Sequence, residues 1–169
     1  VPSQTFEELT DHSEMVVGGQ ITRSWSAWDS EHKFIWTHYE LRVSSTQKGR
    51  PGAAVEFSEP GGEVGDRGMS VAGSVEYRPG DQVAVFLQRM PNGYLRTTGW
   101  GQGKYIVDKT GHLHAELSQR GTEIVQANQA VKSKPAAGTS LRTLDGISIG
   151  ELGRRVAARV AAQGRGSAK

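Results

Sequence analysis

The stretch Ile35-Trp36-Thr37-His38-Tyr39-Glu40-Leu41-Arg42-Val43 decides the fold. Its odd-numbered residues are Ile, Thr, Tyr, Leu and Val, and its even-numbered ones are Trp, His, Glu and Arg. A period of two marks a half-buried strand, one face on a core and the other toward water. The same odd-numbered rhythm runs through Met15-Val17-Gly19-Ile21, Ala53-Val55-Phe57, Met69-Val71-Gly73-Val75-Tyr77 and Val83-Val85-Leu87, and Tyr105 and Val107 extend it. Between these segments stand turn signals: Pro60-Gly61-Gly62, Pro79-Gly80-Asp81, Pro91-Asn92-Gly93 and Lys109-Thr110-Gly111. Pro91-Asn92-Gly93 is expected to join strands 82–89 and 94–98 as a hairpin, and Asp108–Gly111 to join 103–108 and 112–117. Short strands, short turns and no intervening helices predict an antiparallel sandwich or closed barrel. Interior glycines such as Gly19 and Gly73 favour a small, tightly coiled barrel.

Helices flank the strands. Thr5 followed by Glu8 reads as a capping box, with Phe6 and Leu9 on one face. After Gln126 the pattern dissolves into Ala, Lys, Ser, Pro, Gly and Thr. A second helix is expected from about Ile149 to Ala162, with Ile149, Leu152, Val156 and Val160 in one stripe and Arg154, Arg155 and Arg159 beside it. Ser148 and Glu151 read as its capping box, with Ile147 stapled onto Leu152. Residues 1–14 are thus an N-terminal helix packing on the barrel, 15–125 the barrel, and 126–147 an extended linker or wrapping arm. Residues 148–163 form the C-terminal helix and 164–169 a flexible tail.

The chain has 169 residues, 22 glycines and no cysteine. That excludes a disulfide scaffold, a thiol nucleophile, a redox dithiol and any Cys-ligated zinc or iron–sulfur centre. No apolar run approaches the roughly 20 residues of a membrane-spanning helix, the best being Val83–Leu87. The start at Val1-Pro2 fits a processed secretory protein and predicts an extracytoplasmic, periplasmic or secreted, bacterial location with a signal peptide removed. A formal net charge of +2 hides an asymmetry. Residues 1–40 hold seven acids and two bases, and residues 130–169 hold eight bases and two acids. The basic region can meet an acidic partner or an anionic membrane surface, or it can be a solvated helix and tail.

Motifs of familiar outline find simpler readings. Gly146-Ile147-Ser148-Ile149-Gly150 matches the nucleophile elbow, but only 19 residues follow, without a histidine, and capping accounts for Ser148. Gly99-Trp100-Gly101-Gln102-Gly103-Lys104 has the wrong spacing for a phosphate loop and sits between strands. His112 and His114 could share a strand face toward a metal but lack a third ligand nearby, so no metal and no cofactor is assigned. Glu59, Glu63 and Asp66 read as a solvated acidic loop without EF-hand spacing. Phe34, Trp36, His38 and Arg42 offer the outward aromatics of a strand-binding barrel, but acidic surroundings argue against nucleic acid. Trp25 and Trp28, flanking a polar turn, make a protein-contact patch, to which Arg154, Arg155 and Arg159 are added as candidate protein-binding residues.

Ser13-Glu14-Met15-Val16-Val17-Gly18 resembles the opening of a family of exported, functionally uncharacterised bacterial proteins. Its later marks are Trp28; Thr37 with Leu41, Val43 and Lys48-Gly49; Pro60-Gly61-Gly62 with Gly65; Gly80-Asp81 before Val83-Val85-Phe86-Leu87; and Gln102-Gly103-Lys104-Tyr105 with Val107. The first strands and Lys48-Gly49 are also similar to netrin-like domains, including tissue inhibitors of metalloproteinases. That resemblance implies an OB-like five-stranded barrel with helices packed outside. Metalloproteinase inhibitors reach the catalytic zinc with an amino-terminal cysteine, whereas residue 1 here is Val1, so the inhibitory chemistry maps onto no residue. The expectation is a mainly β, OB-like or netrin-like barrel with an N-terminal and an amphipathic C-terminal helix. Its expected function is a non-enzymatic accessory subunit bound to a protein partner or larger complex. The alternatives are a regulator or inhibitor of an exported peptidase, or an enzyme betrayed by a cleft of perturbed titratable groups.

Overall fold

The computed structural model describes residues 2–116 and 138–167. Helix α1 (Phe6–His12) leads into a run of nine strands. These are β1 (Met15–Trp28), β2 (Ile35–Lys48), β3 (Ala54–Pro60), β4 (Gly62–Val64), β5 (Arg67–Met69), β6 (Gln82–Arg89), β7 (Leu95–Thr97), β8 (Lys104–Val107) and β9 (Leu113–Ala115). Helix α2 (Ile149–Ser167) follows, so the C-terminal helix runs past Ala162 into the segment expected to be a loose tail. The fold is mainly β and antiparallel, with the two expected helices. The chain order in the main sheet is β3-β2-β1-β6-β8-β9, with β7 on the second half of β6; β4 and β5 form a separate hairpin.

The expected barrel is not closed by backbone pairing. β1 and β2 are 14 residues each, and their ladder is interrupted by three register shifts, at Val16/Val17, Gly18/Gly19 and Ile21/Arg23. Such irregularities bend and twist a strand pair, and they coil this sheet around an interior. Gly19 belongs to one of them, because a side chain there would collide with the carbonyl of Arg42. β6 gives Val83–Val85 to β8 and Leu87–Arg89 to β7. The short β7 is thereby brought beside β3, but those two strands share no backbone ladder.

Alternation sorts the apolar residues into two cores. Inside the coil lie Val17, Ile21, Tyr39, Leu41, Val55, Phe57, Val83, Val85, Leu87 and Leu95. On the opposite face Val16, Ala84, Phe86, Tyr105 and Leu113 meet Phe6 and Leu9 of α1 and Leu152 and Val156 of α2. The expected strand Met69–Tyr77 is largely absent: after β5 the chain runs as an irregular, mostly exposed strap, residues 70–81, with Val75 and Tyr77 planted in the core. Alternate burial there comes from a plug.

The capping box predicted for α1 is present, with Thr5 Oγ1 accepting from Glu8 N at 3.1 Å and Glu8 returning to Thr5 N at 3.1 Å. At α2 only half forms. Ser148 Oγ accepts from Glu151 N at 3.0 Å, while the Glu151 carboxylate turns to Arg154 and Arg155. The arm expected over 126–147 lies outside the described residues as far as 137. From Gly138 the chain is packed: Phe6 N donates to Thr139 O, Leu144 is fully buried, and Leu113 N donates to Ile147 O. No helix among the described residues is long and apolar enough to cross a membrane.

Leu152 has no exposed surface beneath α2. Leu152→Ala is expected to cost about 3 kcal/mol through lost transfer energy and the cavity left behind, read from the urea midpoint. Arg159 holds Asp11 through two contacts, Nε–Oδ1 at 2.9 Å and Nη2–Oδ2 at 2.5 Å. A double-mutant cycle of Arg159→Ala with Asp11→Ala is expected to give a small favourable coupling that shrinks in high salt.

Candidate functional site

The outer face of the β1–β2–β3 wall, away from both helices' core, carries a row of rings. The register places Trp25 opposite His38 and Ala27 opposite Trp36, so these side chains share a face. Trp25 and His38 have ring centroids 5.5 Å apart. Tyr94, from the β6–β7 turn, lies edge-on to Trp36 at 5.2 Å and to His38 at 5.5 Å. The Arg23 guanidinium caps the Trp25 ring at 4.7 Å. His38 Nδ1 is 2.6 Å from Ser58 Oγ, and burial lowers the pKa of the imidazole, favouring its neutral form. Ser58 is buried in mid-strand, so the pair fixes the imidazole and presents no nucleophile. At the tip of the β1–β2 hairpin Phe34 is 56% exposed, and Trp28 stacks on His32 at 4.2 Å.

Beneath this face lies the seam between β3 and β7. Glu59 follows Val55 and Phe57 in the inward register, and its side chain is 1% exposed. Its Oε1 accepts from Thr97 N at 2.9 Å, and its Oε2 lies 3.4 Å from Arg96 Nε. Among the described residues Oε2 and the buried Arg96 Nη2 have no hydrogen-bond partner. Burial pushes the Glu59 carboxyl up to about 7, outweighing the opposing pull of Thr97 and Arg96. The Arg96 guanidinium also lies over the Trp100 ring at 4.1 Å. Nearby, Tyr77 Oη is 2.7 Å from Thr97 Oγ1. The buried Lys104 ammonium meets Glu116 Oε2 at 2.6 Å and sits over the Tyr77 ring at 4.6 Å.

A cleft of about 590 Å³ opens between the strap and the ends of β2 and β3, with Tyr39, Glu59, Glu63, Glu76 and Tyr77 among its lining. Its hydroxyls at Ser74 and Thr37 donate to the carbonyls of Pro60 and Gly61 at 2.7 Å each. Glu59 is engaged by β7.

Trp25 and Trp28 are three apart on one continuous strand, not astride a turn, so they belong to opposite faces. Arg154 and Arg155 are bound to Glu151, Arg155 also donates to Thr143 O, and Arg159 is bound to Asp11. Arg159 ties α2 to α1, while Arg154 and Arg155 pair within α2. His114 Nε2 meets Asp108 Oδ2 at 2.7 Å, and His112 Nδ1 meets Thr110 Oγ1 at 2.8 Å. Among the described residues no group of three His, Asp or Glu side chains is placed to hold a metal ion. Trp100–Gly103 forms a 3₁₀ turn before β8, without the strand-then-helix setting of a phosphate loop. Tyr94 and Glu59 are the residues whose roles sequence reading missed. Parity marks Glu59, since 55, 57 and 59 share a face; nothing local marks Tyr94, whose partners are more than fifty residues away. No family model matches the chain, and no curated protein or solved structure matches it either.

Because the folded state holds the Glu59 proton more tightly than an unfolded carboxyl with its ordinary value of 4.5, its contribution is fully present below pH 4.5 and is lost as pH rises toward about 7. Arg96→Ala strips the ionised carboxylate of its counter-charge. The variant is expected to lose more stability at pH 8 than at pH 5, where a neutral Glu59 needs no cation, the loss at pH 8 being limited by release of the carboxylate to water. Urea titrations at the two pH values check this; an equal loss at both would contradict it.

Proposed function

We propose that this chain is a non-enzymatic, extracytoplasmic accessory subunit that docks on a protein partner through the outer aromatic face. The observation that carries the reading is the row Trp25, His38, Tyr94 and Trp36, drawn from two strands and a distant turn and locked by ring contacts. Rigid, partly exposed aromatics beside an arginine are the composition of binding hot spots, because they offer large contact area at little entropic cost. Exposed Phe34 extends the patch, and Arg23, Arg42, Glu40 and Glu56 supply a mixed-charge rim. Such a surface suits a protein better than a polyanion. The engagement of Arg154, Arg155 and Arg159 within the chain also weakens a membrane-binding role for the helix. The netrin-like resemblance is kept here as part of the proposal: a coiled sheet with helices on one side leaves its other side for a partner.

Wild-type protein and the variants Trp25→Ala, Phe34→Ala and Arg154→Ala are to be compared as immobilised baits for the native envelope fraction. Loss of one aromatic anchor, at about 2 kcal/mol, is expected to weaken capture of the partner about 30-fold, with Arg154→Ala unchanged. Equal capture by all four baits would refute the surface assignment. A protease panel separates subunit from peptidase regulator: a subunit leaves every rate unchanged.

A further inference from the structure

The β3–β7 seam is where the wall of the coil is completed by side chains instead of a backbone ladder. On the inside Glu59 reaches across to Thr97 N and Arg96. On the outside Tyr94, carried by the turn before β7, packs against Trp36 and His38 of β2. The aromatic face is therefore assembled across the same junction that Glu59 spans from beneath. β7 itself is three residues long, held on its other edge by β6 alone.

We infer that the β3–β7 seam is a proton-operated latch: with Glu59 protonated, β7 stays against β3 and the aromatic face is whole, and with Glu59 ionised, β7 and its turn separate from β3 and carry Tyr94 off Trp36 and His38. The inference rests on reading that face as the docking surface; it adds how the surface is switched. The charged and titratable groups around the carboxyl fit the scheme, and Lys104 over the Tyr77 ring is paired with Glu116. From β7, Arg96 attracts the ionised form, but its approach to Oε2 is 3.4 Å and, among the described residues, both Oε2 and Arg96 Nη2 stay unsatisfied. From β2 and the strap, Tyr39 and Tyr77 face Glu59 with phenols whose pKa burial raises, so both stay neutral and contribute no counter-charge. When Glu59 is neutral, Arg96 keeps its place over Trp100, so closing strands no cation. An open seam returns Glu59 to water and to its ordinary acidity. Between the carboxyl's free value of 4.5 and its closed value of about 7, the ratio of open to closed seam rises by up to about 300-fold.

The test is amide hydrogen exchange on the full chain at pH 5 and pH 8, each rate divided by that of an unstructured chain at the same pH. The latch predicts that protection at Thr97, whose N–H faces the seam, falls by about 70-fold from pH 5 to pH 8, while Thr98, bonded to Phe86 O of β6, and Val17 and Val85 in the β1–β6 ladder change little. In Glu59→Gln, whose amide oxygen can still accept from Thr97 N, protection at Thr97 should be the same at both pH values. Unchanged protection in the wild type overturns the latch, as does an equal fall in Glu59→Gln. The wild-type contrast decides alone if that variant folds poorly. No partner enters the measurement, so the latch and the docking surface can fail separately.

Discussion

Five consecutive residues of β6, Val83–Leu87, have no contact with water, and this double burial is the constraint on which the rest of the structure is built. Val83, Val85 and Leu87 enter the coil, while Ala84 and Phe86 enter the layer under the helices. A strand buried on both faces needs both of its edges paired, or its backbone polar groups would be stranded. β1 takes one edge; β8 and β7 divide the other. That division leaves β8 to carry the sheet onward to β9 and turns β7 back toward β3. The wall is finished by a strand too short to build a ladder, and a side-chain carboxyl does what backbone groups do elsewhere.

The strands were legible because alternation and burial coincide. Val17, Ile21, Tyr39, Leu41, Val55, Phe57, Val83, Val85 and Leu87 all fall on the predicted face. Where other geometry produces the same pattern, sequence misleads. Val75 and Tyr77 are two apart and both buried, but they hang from a strap whose hydrogen bonds go elsewhere. Tyr105 was grouped with the interior by parity, yet its pairing with Ala84 sends it to the helix side. The binding face was half visible, in the even residues Trp36 and His38. Its remaining ring, Tyr94, enters through tertiary packing, which no local period records. Between Trp25 and Trp28 the expected turn is absent: β1 continues through it, and a strand sends residues three apart to opposite faces.

The charge asymmetry finds much of its explanation inside the molecule. Asp11 on α1 is held below its ordinary value by the Arg159 guanidinium, and Glu7 is lowered by its bonds to Thr139 against the opposing effect of burial. The acidic beginning and basic end of the chain are partly each other's partners. What the sequence suggests as an exposed basic arm is partly engaged: Arg159 docks α2 on Asp11 and Arg155 reaches Thr143 O, while Arg154 stays exposed and pairs with Glu151 in the helix's first turns.

The contact between the two ends also sets an order of events. Thr5 and Ser140 form a bridge, Glu7 bonds Thr139, and Asp11 bonds Arg159 across 148 residues of sequence. Contacts of such separation must wait for the intervening chain, and their closure entropy makes them late and slow. As the polypeptide emerges from a ribosome, the sheet can be complete by residue 115 while α1 and the outer faces of Val16, Phe86 and Tyr105 still lack their cover. Until α2 arrives, the nascent chain carries an apolar sheet face that will later be core, and this interval is when it most needs a chaperone.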